Sequence, residues 1–359
     1  MLKGIRVLEI EGQGPAPFCA MLLADLGADV ILINRAVPRD APGLDDNSLI
    51  NRGKRSIALD LKAPSDVETF LKLSDRSDVV IEGFRPGVVE KLGIGPDVCR
   101  ARNPKLVFAR MTGWGQTGSM AQEAGHDLNY LALSGALWYA GAPGQMPVTP
   151  PTMQGDVPGG LYLMIGILAA LLRAKETGLG DTIDAAIFDA SAHMQNLLLA
   201  LRQSRALKIE RGKSLLDGPH WSRSYKCSDG RWLSVQCLEP KFYDNFLRCL
   251  GLQDNALLAE QFDSEKWPAQ CKFLEELFAS RDGASWLQAF AGADACVAPV
   301  LNIEEAAAHQ HNDVRNAFVW SDGVLQGAPA PRFESITNWS PKHSPTRDEH
   351  RAEILNLIR

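Results

Sequence analysis

The sequence has few of the features that mark secreted, metal-binding or nucleic-acid-binding proteins. Its seven cysteines are scattered and include no C-x-x-C pair, so neither a disulfide framework nor a zinc site is expected. His309 and His311 have no third ligand near them in the sequence, and no metal is predicted there. The net charge of −6 provides no basic surface for nucleic acid. Because the N-terminus lacks the basic-then-apolar pattern of a signal peptide, a cytoplasmic protein is expected.

Long apolar runs are also missing. The longest, at 161–172, is too short to span a bilayer, so no membrane partner is predicted. The composition, with 45% apolar and 22% charged residues, is that of a globular chain. At 359 residues, two domains are expected.

The N-terminal region has the pattern of a βαβ unit. Strands are expected at 5–10 and 29–33, with a helix at 15–26 between them. The turn before the helix is close to a dinucleotide fingerprint. However, Pro17 stands where the third glycine should be, and Asn34 replaces the acidic ribose ligand. A nicotinamide cofactor is therefore not expected, and the unit is interpreted as a Rossmann-like scaffold.

The rest of the chain predicts further βα units and then a change of pattern. Strands at 79–82 and 181–188 and buried helices at 159–175 and 189–203 extend a parallel sheet, and His193 is interpreted as a core histidine. A hairpin at 224–237 turns at Asp-Gly. The predicted fold class is α/β, with a Rossmann-like larger domain and a smaller α+β domain. The predicted limits are 1–204, a linker at 205–223, the small domain at 224–308, and a return to the large domain at 309–359.

Basic residues follow several of the predicted strands. One group lies at 51–62, Arg35 follows the second strand, and a further group contains Arg85, Lys91, Arg100 and Arg102. The alternatives are a solvated basic edge and a site for a phosphorylated small molecule. Because basic residues recur at the ends of several strands, a site for a phosphorylated small molecule is favoured.

Two acid/base residues each stand beside a glycine at the start of an apolar segment. His126 follows Gly125, and Asp156 follows Gly155. Backbone N–H groups are free at such helix starts, where they hold anions. His126 and Asp156 are therefore predicted to be the two proton carriers of one site. The alternative is that the histidine only bonds a loop and the aspartate only caps a helix.

The segments around these residues resemble a known family. M-T-G-W-G-Q at 111–116 and G-H-D-L-N-Y at 125–130 are similar to the central signature of the α-methylacyl-CoA racemases, within the family III CoA-transferase (CaiB/BaiF) superfamily. Similar segments follow the family in order at 85–87, 92–95, 239–243, 294–300 and 329–333. The resemblance implies an interlocked homodimer, a feature that no sequence pattern indicates by itself.

The resemblance also implies a substrate and a set of contacts. It implies an acyl-CoA thioester as the partner, with coenzyme A bound as part of the substrate and no separate cofactor. Glu239 is implied to orient His126 across the subunit interface. The residues implied to bind coenzyme A and the thioester are Arg35, Leu59, Leu61, Lys62, Gly83, Phe84, Arg85, Lys91, Gly125, Asp127 and Tyr130.

The implied reaction is racemisation of 2-methylacyl-CoA through an enolate. It requires a base on each face of the α-carbon and donors for the carbonyl oxygen, and His126, Asp156 and the neighbouring glycine amides would supply them. One alternative is a CoA-transferase with Asp156 as nucleophile. The transferases lack the histidine of this motif, which favours the racemase. The second alternative is a non-catalytic acyl-CoA-binding protein.

Two departures from the family pattern concern the substrate. Thr152 stands where relatives commonly have asparagine, and the segment at 218–225 carries His220, Trp221 and Arg223 in place of small or acidic residues. An arginine in a pocket predicts a polar acyl group or one with a second carboxylate. The alternative is that Arg223 points to solvent and pairs with an acid such as Asp229.

Overall fold

Short apolar runs in the N-terminal half of the chain form the strands of a parallel sheet. The computed structural model describes residues 1–38, 48–321, 323–336 and 339–359. The strand residues are buried almost throughout because apolar cores cover both faces of the sheet. Within the described residues its strands are β1 Arg6–Ile10, β2 Asp29–Arg35, β3 Arg55–Leu59, β4 Val79–Glu82, β5 Val107–Thr112 and β6 Thr182–Ala186.

The strand order is that of a Rossmann-like sheet. It runs β3-β2-β1-β4-β5-β6, and all neighbouring pairs are parallel. The order reverses between β1 and β4, so the turns that follow these strands diverge and leave a crevice at the carboxyl edge of the sheet. The predicted α/β fold class is confirmed.

Helices cover both faces of the sheet and build much of the remaining chain. In chain order they are α1 Pro15–Asp25, α2 Pro64–Ser74, α3 Val88–Lys91, α4 Pro96–Arg102, α5 Asp127–Ser134, α6 Asp156–Thr177, α7 Ile187–Met194, α8 Asn196–Gln203, α9 Pro240–Leu250, α10 Trp267–Phe278, α11 Gly283–Ala289, α12 Ile303–Ala308, α13 Gln310–Val314 and α14 Arg351–Asn356. Val7 of β1 belongs to the core formed with α1 and α6, whereas the next residue, Leu8, belongs to the core formed with α2 and α14. This alternation is the period of a strand buried on both faces.

The contacts between residues divide the chain into two units. The first comprises Met1–Leu137, Thr149–Met194 and Asn316–Arg359, and the second comprises Trp138–Val148 and Gln195–Arg315. The predicted domain limits at 204, 223 and 308 stay a prediction. The interlocked homodimer also stays a prediction, because a single chain is described.

The second unit contains a small antiparallel sheet packed with helices. Its strands are β7 Ser222–Lys226, β8 Trp232–Gln236 and β9 Val297–Pro299. The predicted hairpin is confirmed, and Gly230 turns the chain with a left-handed φ of 84°. Aromatic side chains fill the core behind this sheet, among them Trp221, Tyr225, Phe246, Phe278 and Trp286.

The C-terminal segment from Asn316 belongs to the first unit. It forms a hairpin of β10 Phe318–Ser321 and β11 Val324–Gly327 and then runs along β3, the edge strand of the parallel sheet. Asp348 Oδ1 accepts a hydrogen bond from the Ala58 N–H at 2.8 Å, and the His350 N–H donates to the Ser56 carbonyl at 2.9 Å. These bonds satisfy backbone groups that an open sheet edge would leave exposed.

The prediction of one buried helix at 189–203 is wrong. The segment forms two helices, α7 and α8, and no residue of α8 is buried. His193 is exposed rather than part of the core, and its Nδ1 lies 2.7 Å from the Tyr162 hydroxyl. The run is apolar, but the described part of the chain leaves α8 uncovered, so the apolar composition did not correctly predict its burial.

Helix α6 also differs from its prediction. It has 22 residues and begins at Asp156, and by length and composition it is long and apolar enough to cross a membrane. The exclusion of a membrane partner from the length of the apolar run is therefore not supported. Only one stripe of the helix, including Leu163, Ile167 and Ala174, is buried, whereas Ile165 and Leu172 are more than half exposed.

Candidate active site

Three cavities of the first unit adjoin the carboxyl edge of the parallel sheet. The central cavity has a volume of about 530 Å³ and is lined by the turns after β1, β4 and β5. The outer cavity, of about 440 Å³, lies at the ends of β2 and β3. The side cavity, of about 240 Å³, is bounded by the turns after β4 and β5 and by the segment that leads into α5. The central cavity thus occupies the crevice where the strand order reverses, which is where ligands bind in such sheets.

Both predicted proton carriers line the central cavity. His126 is the N-terminal cap of α5, and Asp156 is the first residue of α6. Gly14, the N-terminal cap of α1, lines the same cavity. Three helices therefore begin at one cavity, and their dipoles favour negative charge there.

Asp156 is held in a partly buried, acidic environment. Its backbone N–H donates to Asp127 Oδ1 at 2.7 Å, which fixes the start of α6 against the start of α5. Burial and, to a smaller extent, the negative charge of Asp127 raise the pKa of Asp156 to about 6, against an opposing effect of His126. A carboxyl group with this pKa exchanges protons readily near neutral pH.

The contact between the two aspartates depends on a glycine. A Cβ atom on Gly155 would lie 2.4 Å from Asp127 Oδ1, closer than any real side-chain contact allows. Any larger residue at 155 would therefore move the carboxylate of Asp127 or the backbone of Asp156. Packing against Asp127 therefore favours glycine at the position before Asp156.

His126 and Tyr130 are fixed by the first turn of α5. The His126 N–H donates to Asn129 Oδ1 at 3.0 Å, and the Tyr130 hydroxyl donates to the Gly125 carbonyl. The Tyr130 ring packs edge-on against Trp114 with centroids 4.7 Å apart. Burial raises the pKa of Tyr130 to about 12, so the phenol stays protonated at neutral pH. Tyr130 is thus a wall of the cavity and a hydrogen-bond donor, rather than a base.

Most of the residues implied to bind coenzyme A lie around these cavities. Arg35 and Phe84 line both the central and the outer cavity, and the Arg35 guanidinium lies over the Phe84 ring at 5.7 Å from its centroid. Lys91 is exposed at the end of α3, outside the three cavities. Leu59, Leu61 and Lys62 line the outer cavity. Gly83, Gly125 and Tyr130 line both the central and the side cavity, and Arg85 lines the side cavity. Asp127 lies behind Asp156.

The third predicted catalytic residue belongs to the other unit. Glu239 is the N-terminal cap of α9, and its side chain is exposed. Its role in orienting His126 across a subunit interface stays a prediction.

Several residues of the two basic clusters form ion pairs within the chain. Lys54 pairs with Glu9 at 2.6 Å with both side chains fully buried, and Arg52 pairs with Asp25 at 2.6 Å. Arg102 binds Asp75 at 2.6 Å, at the end of α4. These three basic residues are therefore matched by acids of the same chain, and the contacts of Lys62, Arg85 and Lys91 with coenzyme A stay a prediction. A sequence cannot reveal which acids the fold brings beside each base.

The altered segment at 218–225 belongs to the second unit, and part of it lies in the aromatic core of that unit. His220 and Trp221 are fully buried, and His220 Nε2 lies 2.7 Å from the Tyr243 hydroxyl. Arg223 pairs with Glu275 at 2.8 Å, rather than with Asp229. Because its charge is already matched, the basis for predicting an acyl group with a second carboxylate is lost, and that prediction is corrected.

Several residues around the central cavity were not predicted as site residues. Glu11, Gln13 and Gly14 form the turn after β1, and Thr152 and Ile187 complete the lining. A Cβ on Gly14 would lie 3.3 Å from Asp156 Oδ2, so this turn approaches the carboxylate closely. The βαβ pattern at the N-terminus was the available signal, because in a Rossmann-like sheet the turn after the first strand lies at the point where the strand order reverses.

Comparisons with known proteins identify the family of this chain. Residues 2–351 match the family described as CoA-transferase family III. The chain is 40% identical to the α-methylacyl-CoA racemase of Mus musculus, over 99% of this chain and 92% of the relative. It is 30% identical to the β subunit of succinyl-CoA–L-malate CoA-transferase of Chloroflexus aurantiacus, over 99% of this chain and 94% of the relative.

A solved structure extends the similarity to the fold. The crystal structure of a CaiB/BaiF family protein from Brucella suis matches with a TM-score of 0.82 and 25% identity, over 99% of each chain. Both named relatives are enzymes, one a racemase and one a transferase. With its full-length family match, its parallel sheet and its cavity at the strand reversal, the chain belongs to CoA-transferase family III.

Proposed function

We propose that this protein is a racemase of 2-methylacyl-CoA thioesters that exchanges the α-proton through an enolate. The observation that carries the proposal is the presence of His126 and Asp156 in one cavity, each at the start of a helix. The 40% identity to a relative named α-methylacyl-CoA racemase supports the same substrate class.

The proposed reaction moves one proton off the α-carbon and another onto it. One carrier takes the α-proton as the C–H bond breaks, and the electron pair moves into the thioester carbonyl to give an enolate. The second carrier then protonates the opposite face, and a new C–H bond forms. No atom changes its oxidation state overall, so the route requires two acid/base groups and the coenzyme A of the substrate, without a separate cofactor.

The two carriers are suited to opposite roles in each direction. Because the pKa of Asp156 is about 6, the carboxylate form dominates at neutral pH and accepts a proton. A protonated His126 delivers one from the other face, and the roles reverse for the other enantiomer. Partial burial of Asp156 strengthens it as a base, since desolvation disfavours its charged form.

The start of α5 supplies donors for the negative charge that develops on the thioester oxygen. The Asp127 N–H makes no hydrogen bond with another residue of the described ranges, and it follows directly on His126. A free N–H at a helix start, beside a proton carrier, is suited to bind an oxyanion. Loss of one such donor typically lowers the rate by about 10²–10³-fold.

A CoA-transferase is the second candidate function. The carboxylate of Asp156 lies close to Gly14 at the start of α1, and such a position also suits a nucleophile that forms a mixed anhydride. A relative in the same family is named as a CoA-transferase. We favour the racemase because a transferase of this kind has no use for a second proton carrier, and His126 lines the same cavity.

Incubation with a chiral 2-methylacyl-CoA in deuterated water separates these functions. We expect deuterium at the α-carbon and loss of stereochemistry without any added carboxylic acid. A strict requirement for an acceptor acid, together with a hydroxylamine-trapped acyl adduct on Asp156, would instead identify a transferase. Binding of the thioester without exchange or transfer would identify a non-catalytic acyl-CoA-binding protein.

We also propose that the protein works as a homodimer. Helices α5 and α6 expose Leu128, Leu133, Ile165 and Leu172, each by more than half of its surface. Apolar side chains repeated along neighbouring helices mark an interaction surface rather than a solvated one. A second copy of the chain is the partner implied by the family resemblance.

Light scattering after size-exclusion chromatography tests the dimer. The wild type is expected to elute as a dimer, and Ile165→Glu with Leu172→Glu is expected to shift it to a monomer, because two charges would be buried in the interface. The matched control is Val314→Glu, which changes an exposed apolar residue on another helix and should leave the dimer intact. A monomeric wild type at micromolar concentration would contradict the proposal.

A further inference from the structure

The turn after β4 contributes to all three cavities. Phe84 lines the central, outer and side cavities, and Gly83 lines two of them. The turn continues through Arg85 into the short helix α3, which ends at Lys91. Residues 83–91 therefore contain four of the positions implied to bind coenzyme A, and their conformation affects every part of the site.

The two ends of this turn are tied to one arginine. At the first end, Glu82 Oε1 accepts from Arg110 Nε at 2.9 Å, while Oε2 of the same carboxylate accepts from the Phe84 N–H at 2.7 Å. At the second end, Glu90 Oε1 accepts from Arg110 Nη1 at 2.7 Å. Arg110 thus connects Glu82, before the turn, to Glu90, near its end.

The arrangement is rigid because most of it is buried. Glu82 is fully buried, the Arg110 side chain is 9% exposed, and Glu90 is 42% exposed. Arg110 lies opposite Glu82 in the register of β4 and β5, so the sheet itself fixes where the guanidinium lies. A planar guanidinium binds two carboxylates at defined angles, whereas a flexible ammonium group does not.

We propose that Arg110, with Glu82 and Glu90, is a positioning residue that holds residues 83–91 in the conformation that binds the coenzyme A part of the substrate. Arg110 acts through Phe84 and the turn rather than by touching the thioester. The inference rests on the proposed acyl-CoA substrate. It extends that proposal by assigning a role to a buried charge cluster that the proton-transfer mechanism does not use.

The chain provides a matched control at the opposite edge of the sheet. Arg102 also lies between two carboxylates, at 2.6 Å from Asp75 and 3.6 Å from Glu68. It ends α4, which leads into the amino end of β5, and it lines none of the three cavities. Loss of this cluster should affect stability without affecting the ligand.

The experiment measures binding of coenzyme A by calorimetry and the kinetics of 2-methylacyl-CoA exchange in matched variants. Arg110→Met is expected to raise both the Kd for coenzyme A and the KM for the thioester about tenfold, because the turn must then be ordered by the ligand. The kcat is expected to change much less, since the lost interaction is equally strong in the ground state and the transition state. Arg102→Met should match the wild type in Kd and KM.

Two further variants keep the test decisive if Arg110→Met is unstable. Arg110→Lys retains the charge but cannot bridge both carboxylates, so it should bind coenzyme A nearly as weakly as Arg110→Met. Glu90→Gln releases only the far end of the turn and leaves the buried pair with Glu82 intact, and we expect a smaller rise in Kd, of about threefold.

The outcomes distinguish this inference from the proposed function. Folded Arg110→Lys and Glu90→Gln proteins that bind coenzyme A like the wild type would overturn the positioning role. Weakened binding in these variants without any α-proton exchange in the wild type would leave the positioning role intact and remove the racemase. A wild type that does not bind coenzyme A would overturn both.

Discussion

Two polar clusters of this protein illustrate how differently burial acts on titratable groups. In the first unit, Asp156 and Asp127 lie at the meeting point of helix starts, and Asp156 faces the central cavity. In the second unit, His220 is fully buried and bonded to Tyr243 inside an aromatic core. Burial raises the pKa of Asp156 to about 6 and lowers the pKa of His220 to about 4.

The physical cause is the same in both clusters, because desolvation disfavours the charged form of an acid and of a base alike. The consequences differ because only Asp156 can be reached by a substrate. A neutral histidine sealed in a core contributes hydrogen bonds and packing, whereas a carboxyl group beside a cavity exchanges protons. A shifted pKa therefore indicates a functional group only where the geometry provides access.

The largest effect is expected from removing the accessible carboxyl. Asp156→Asn should lower the rate of α-proton exchange by about 10³-fold, because an amide cannot act as a base. The measurement is deuterium incorporation from solvent under saturating thioester. Asp189→Asn is the matched control, since burial also raises the pKa of Asp189 but this residue lies outside the central cavity. Equal losses in both variants would contradict the assignment of Asp156.

His220 should govern stability rather than rate. Its pKa of about 4 in the folded state lies below the ordinary value of 6.5, so its stabilising effect is complete above pH 6.5 and is lost as pH falls through 4. Between pH 6.5 and pH 4, the titration of His220 should lower the free energy of unfolding by about 3 kcal/mol. Denaturant titrations between pH 7 and pH 4 should show a smaller loss in His220→Gln than in the wild type. His311→Gln, a control at an exposed histidine, should lose as much unfolding free energy between pH 7 and pH 4 as the wild type does.

Gly155→Ala should displace Asp156 without changing its chemistry. The added methyl group would overlap Asp127 Oδ1 and displace the start of α6. A small misplacement of a proton carrier costs about 10²-fold in rate, and this is the expected loss in kcat. Gly327→Ala is the control, because a Cβ there meets no atom within 4 Å. Wild-type kcat in Gly155→Ala would show that the contact between the aspartates is dispensable.

Asp156 should affect stability in the opposite direction to His220. Because its folded pKa of about 6 lies above the ordinary value of 3.8, the stabilising effect is present below pH 3.8 and is lost as pH rises through 6. Asp156→Asn should therefore be more stable than the wild type at pH 8, by about 1–2 kcal/mol after allowance for solvent screening. Thermal unfolding of both proteins at pH 8 and pH 4.5 tests the sign of this stability difference. An Asp156→Asn variant that is less stable than the wild type at pH 8 would refute the prediction.

The smallest effect is expected at Thr152. This residue lines the central cavity with a φ of 59°, a left-handed conformation that a β-branched side chain rarely adopts. Asparagine tolerates that conformation better, so Thr152→Asn should raise the unfolding free energy by about 1 kcal/mol. Thr152→Ala, which gains no such preference, should stabilise less. A lower melting temperature in Thr152→Asn would indicate that the threonine side chain makes a contact that outweighs the strain.

The α/β class and the elements of the parallel sheet could be predicted from the sequence. Apolar strands of four to seven residues separated by helices with glycine or proline at their ends permit little else. The sequence also indicated that His126 and Asp156 each stand beside a glycine at a helix start. Local patterns encode local structure, so these features were predictable.

The tertiary structure alone decided which groups meet. The strand order brought the turn after β1 to Asp156, although the two are separated by more than a hundred positions in the chain. It paired Arg110 with Glu82 and Glu90, paired Lys54 with Glu9, and enclosed His220 in a core rather than in a pocket. Charge and burial depend on neighbours distant in sequence, and these neighbours are fixed only when the sheet and its helices pack together.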